Sequence, residues 1–125
     1  MSDSKLFVYG TLKPGDVRWP VLAPFVAGEP IPASIDGTLV DPGYGWPALV
    51  LELGTVTGYL VKLAEDSREE AWRTLDAVEG ADLADPLFRR ISLSVTYSRD
   101  EQTCTATGYL YCGEIQGLPR LGGAW

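Results

Sequence analysis

The sequence predicts an α+β fold. Short runs rich in β-branched and aromatic residues recur between Gly, Pro and Asp punctuation, and one stretch repeats its apolar residues at helical spacing. With 46% hydrophobic residues in 125, the chain can bury one core of ordinary size. Nothing in the composition marks a hinge between separately folding halves, so residues 1–125 are expected to form a single domain.

Leu6, Phe7 and Val8 predict a buried strand that runs into the loop YGTLKPG, Tyr9 to Gly15. Gly10 permits a tight turn or a close backbone approach to a ligand, which leaves the amides of Thr11 and Leu12 free to donate to a carboxylate or carbonyl oxygen. Plain turn chemistry calls for the same residue types. Arg18–Val26, with Pro20 and Pro24, reads as a short helix or turn, Gly28–Pro32 as a loop and Ile35–Val40 as a strand. The segment DPGYGWP, Asp41–Pro47, is turn-rich, and its Tyr44 and Trp46 either wall a pocket or cover the core.

Ala48–Leu51 and Val56–Leu63 read as strands, expected to pair as a hairpin across a turn at Glu52–Gly54. ISLSVTY, Ile91–Tyr97, alternates as a half-buried strand should, and Thr103–Cys112 follows across the polar turn Ser98–Gln102. GYLV at Gly58 and GYLY at Gly108 echo each other, which places two strands alike in one sheet. The tail GLPRLGGAW is too glycine-rich for a regular element, yet Trp125 is a large apolar residue. It is expected to fold back over the body or to contact a second subunit.

The helix is predicted from Arg68 to Val78. Ser67 with Glu70 forms a capping-box pattern, Ala71, Trp72, Leu75 and Val78 make the apolar stripe, and Gly80 suits the left-handed position that ends a helix. Glu79 stands four residues after Leu75 and seven after Trp72, so it follows the buried stripe and not the solvated side of Glu69 and Arg73. A carboxylate at the negative end of a helix dipole among apolar neighbours has its charged form disfavoured, which moves its pKa up toward the range useful for proton transfer. The bland alternative is a helix end exposed to water. Asp76, the neighbouring carboxylate, is expected on the helix surface or in a hydrogen bond that fixes the chain after Gly80.

Composition removes several classes of function. Histidine is absent and Cys104 and Cys112 are the only cysteines, so common zinc shells and His-dependent triads cannot be assembled. The two cysteines, eight residues apart on one expected strand, cannot bridge; both are expected reduced, Cys112 as a small core filler. A net charge of −7, with Arg89 and Arg90 as the strongest basic pair, argues against nucleic acid as a partner. The N-terminal MSDSK is too polar and short for a signal peptide and no apolar run could span a bilayer, so a cytoplasmic protein without membrane partners is expected.

The phrases YGTLKPG and LDAVEG (Leu75–Gly80), in that order, with FRR at Phe88–Arg90 and the closing GGAW, resemble the gamma-glutamylcyclotransferase-like family, which includes the AIG2-like proteins. The resemblance spans nearly the whole chain and implies a small, strongly curved mixed sheet or barrel with a helix packed beside it. It implies that Tyr9, Gly10, Thr11 and Leu12 bind a γ-glutamyl group and that Glu79 is the catalytic acid/base. Arg90 is expected on the substrate-binding side, neutralising or orienting a nearby carboxylate. Where family members commonly carry Tyr, one residue, then Arg, this chain has Phe88, Arg89 and Arg90, so a hydroxyl is lost while an aromatic wall remains. The implied reaction releases 5-oxoproline and an amine without cofactor or metal. A binding protein for γ-glutamyl or amino-acid-like ligands would keep the loop without needing a proton-active Glu79.

Overall fold

The computed structural model describes residues 4–43, 46–81 and 87–123. Strand β1 (Lys5–Val8) has both edges taken: β3 (Ala48–Leu63) pairs antiparallel on one side, Phe7 opposite Leu60, and β5 (Thr103–Tyr111) runs parallel on the other. β4 (Phe88–Tyr97) pairs antiparallel with β5 and with β2 (Val26–Val40), and β2 pairs along its length with β3. The ladder β3-β1-β5-β4-β2 therefore returns to β3 and closes into a barrel, with β6 (Arg120–Gly122) added to the end of β2. Closure leaves these five strands with few free edges.

The two-residue period of β1 separates two apolar clusters. Phe7 and Tyr9 face the barrel interior with Ile35, Leu39, Val56, Leu60 and Val95. Leu6 and Val8 face outward and are covered by Ala71, Trp72 and Leu75 of helix α2 (Arg68–Glu79). Burying each of these larger side chains stabilises the fold by roughly 1.5–3 kcal/mol. The short helix α1 (Trp19–Leu22), followed by a 3-10 turn at Ala23–Phe25, adds Leu22 to the same outer cluster. Among the described residues no helix is long and apolar enough to cross a membrane.

The echoed GYL segments fall on β3 and β5, the two neighbours of β1, although the strands run in opposite directions. Gly58 is required by proximity: a Cβ there would collide with the Val8 carbonyl oxygen, where β1 leaves the sheet for its loop.

Five expectations are corrected. Gly28–Pro32 belongs to β2 and is not a loop; Gly28, Glu29 and Pro30 form a bulge between the pairs Ala27–Lys62 and Ile31–Leu60, which accommodates the positive φ of Gly28 (80°) and the missing amide of Pro30. Ala48–Leu51 and Val56–Leu63 are not a hairpin but parts of one strand, both paired with β2. Residues 51–54 bulge out opposite Gly37, and Thr38 Oγ1 holds the Leu53 carbonyl at 2.9 Å. Ser67 makes no side-chain cap, because a 3-10 turn at Glu65–Ser67 leads the chain into α2 instead. The tail contains a regular element, β6, and Gly123 O accepts the Thr57 amide at 2.8 Å. Cys112 is exposed and not in the core; like Cys104 it is a free thiol. The expectations for Tyr44 and Trp125 lie outside the described residues.

Candidate active site

The loop after β1 is shaped by its carbonyls. Gly10 O accepts from Lys13 N–H at 3.1 Å and Thr11 O accepts from Arg18 N–H at 2.8 Å, so the carbonyls serve the turn. Among the described residues, the amides of Thr11 and Leu12 have no backbone acceptor. Oriented, unengaged amides of this kind suit an anionic oxygen.

Tyr9 to Leu12, Trp46, Pro47, Glu79 and Tyr109 line one cavity at the end of β1. The cavity is narrow, with about 20 Å³ accessible to the centre of a water. Pro47 approaches the loop this closely because position 10 is glycine: a Cβ there would lie 2.9 Å from Pro47 Cγ.

Glu79 is delivered by the end of α2. Gly80 takes the left-handed conformation at φ 71°, and the Ala81 amide returns to Asp76 O at 2.8 Å, which closes the last turn. Burial pushes the Glu79 carboxyl up from 4.5 to about 7, and the nearby Arg18 guanidinium offsets part of that rise. Near neutral pH such a group holds and releases a proton with comparable ease.

Tyr9 Oη donates to Tyr109 O at 2.9 Å, and its pKa is raised by burial and then by the Glu79 carboxylate. Tyr109 Oη donates to Asp76 Oδ1 at 2.7 Å; burial and then that bond raise its pKa also. Asp76 Oδ2 is 3.1 Å from Arg90 Nη2, and the Arg90 guanidinium lies 4.9 Å from the centre of the Trp72 ring. A chain of contacts thus runs from the loop through β5 to the last turn of α2.

The structure brings Tyr9, Gly10, Thr11, Leu12 and Glu79 around one cavity. Arg90 is not part of that lining, and the carboxylate it meets is Asp76. Phe88 packs in the core edge-on to Tyr111, ring centres 5.4 Å apart, and not on the cavity. Trp46, weighed as a pocket wall, lines it. Sequence reasoning missed Tyr109 and Arg18. The GYL echo marked the position of Tyr109 without its role, and Arg18 gave no signal because its contact, the Trp46 ring at 5.1 Å, is distant in sequence. Among the described residues no group of three or more His, Cys, Asp or Glu stands together as a metal site.

The family model described as gamma-glutamyl cyclotransferase, AIG2-like, matches residues 6–125. The gamma-L-glutamyl-butirosin B gamma-glutamyl cyclotransferase of Niallia circulans is 36% identical over 98 residues, covering 74% of this chain. The match spans 58% of that relative's length. A crystal structure of an AIG2-like protein from Mus musculus superposes with a TM-score of 0.75 at 22% identity, covering 93% of this chain and 84% of that one. YkqA from Bacillus subtilis gives 0.71 at 23% identity, covering 98% of this chain and 39% of that one. At these identities the two structures speak for the fold.

Proposed function

The chain belongs to the AIG2-like gamma-glutamyl cyclotransferase family, and from that premise we propose that it converts a γ-glutamyl amine or peptide into 5-oxoproline and a free amine. The observation that carries this reading is that Glu79 lines one cavity together with the Tyr9–Leu12 loop, where burial moves its carboxyl up to about 7.

A γ-glutamyl amide contains its own nucleophile. Glu79 as carboxylate takes a proton from the α-ammonium, and the freed amine attacks the side-chain amide carbonyl to close a five-membered ring. The new C–N bond places negative charge on the carbonyl oxygen, for which the Thr11 and Leu12 amides are the available donors. Collapse breaks the original amide C–N bond as protonated Glu79 gives its proton to the departing nitrogen; the regenerated carboxylate then takes the second proton from the ring nitrogen, and the amine leaves as its ammonium with that proton. No water is consumed and no cofactor enters the balance. The cavity lined by Tyr9–Leu12, Trp46, Pro47 and Glu79 is the place for the glutamyl end. Arg90 acts through Asp76, fixing the helix turn that carries Glu79.

The relative from Niallia circulans is named for a γ-L-glutamyl-butirosin B substrate, so the leaving side should be surveyed beyond amino acids. The test is mass-spectrometric detection of 5-oxoproline from γ-glutamyl amines, dipeptides and larger γ-glutamylated amines. Product from at least one member supports the reading. Binding of such ligands without product from any of them replaces it with a binding protein.

A further inference from the structure

The geometry points to Arg18 as the group that reads the α-carboxylate of the γ-glutamyl moiety. This rests on the cyclotransferase reading and adds the residue that sets its specificity for the glutamyl end. The α-amine and α-carboxylate are attached to one carbon. Whatever places the amine against Glu79 therefore brings a second negative charge beside that carboxylate, in a chain whose net charge is already −7. A cation at this point is needed to offset the repulsion.

Arg18 does not line the cavity itself but stands against two residues that do, Thr11 and Trp46. Its amide is fixed to Thr11 O at 2.8 Å, so its backbone is anchored to the loop lining the cavity. Its guanidinium lies 5.1 Å from the centre of the Trp46 ring, itself part of the cavity wall. It is also the charged group whose field acts on Glu79. Among the described residues Arg18 forms no ion pair with a carboxylate, whereas Arg90 is engaged by Asp76. Stacking on an aromatic face keeps a guanidinium partly desolvated while leaving its N–H edge able to form a bidentate pair with an incoming carboxylate.

The test compares two amides of the same amine, γ-glutamyl and 4-aminobutyryl. The second lacks only the α-carboxylate and cyclises by the same steps, forming one C–N bond and breaking another, to 2-pyrrolidinone. Wild type should prefer the γ-glutamyl amide in kcat/KM, and Arg18→Gln should lower that preference by roughly 10–100-fold, the range for losing a charge-assisted pair. Arg18→Lys, which keeps the charge without the fork, should fall between, and it carries the comparison if the glutamine variant does not fold. If Arg18 only props Trp46, both amides slow together and the preference stays, which overturns the proposal while leaving the cyclotransferase reading intact. Wild type turning over neither amide, nor any other γ-glutamyl compound, would overturn both.

Discussion

Tyr109 Oη donates to Asp76 Oδ1 at 2.7 Å, and this one bond ties strand β5 to the last turn of α2, three residues before Glu79. Tyr109→Phe removes the donor and leaves Asp76, among the described residues, with Arg90 as its side-chain partner. The expected loss is about 1.5–3 kcal/mol, the range for a hydrogen bond to a charged group. Thermal unfolding should show a fall in Tm of several degrees, and 5-oxoproline formation should lose kcat more than KM. A variant melting with wild type would show that the bond does not hold the helix end.

Gly10→Ala tests the cavity wall. The added Cβ would meet Pro47 Cγ at 2.9 Å and Cδ at 3.3 Å, so the rigid proline ring must shift. Overpacking of this kind costs about 1–3 kcal/mol, and the loop beside Glu79 moves with it. Activity should fall by more than the change in melting accounts for. Gly58→Ala drives a Cβ into the Val8 carbonyl oxygen and should cost stability at the upper end of that range.

Glu79 makes stability depend on pH. Its carboxyl in the folded state is raised from 4.5 to about 7, so the folded state binds this proton more tightly than the unfolded chain does. Its favourable contribution is complete below about 4.5 and is lost as pH rises toward about 7, above which the penalty is constant. The full effect is at most about 3 kcal/mol. Glu79→Gln should therefore be more stable than wild type at pH 8, with the gap narrowing toward pH 5. Chemical denaturation at both pH values checks this without reference to activity; a gap that widens on acidification would refute the burial.

The helix stripe, Gly80 and the buried side of Glu79 were legible because helical spacing and a left-handed end are local signals in sequence. The strand Leu6–Val8 was legible as an apolar run. Bulges were not: Gly28–Pro32 and Glu52–Gly54 carry turn residues, yet long-range pairing of β2 with β3 keeps both within strands. Ser67 looked like a cap because the local pattern cannot show the 3-10 turn that replaces it. In the site, YGTL was readable as a loop with free amides. The Tyr9–Tyr109 and Tyr109–Asp76 bonds join residues 100 and 33 positions apart, and no local pattern encodes them.

The pH dependence of 5-oxoproline formation by wild type and Glu79→Gln bears most directly on the proposed chemistry. Wild-type kcat/KM should rise through an acidic limb near 7, where the Glu79 carboxyl ionises. Glu79→Gln should lose roughly 100-fold or more, the usual worth of a positioned acid/base, together with that limb. A glutamine variant that keeps wild-type turnover and the same limb would contradict the assignment of Glu79 as the group that moves the proton.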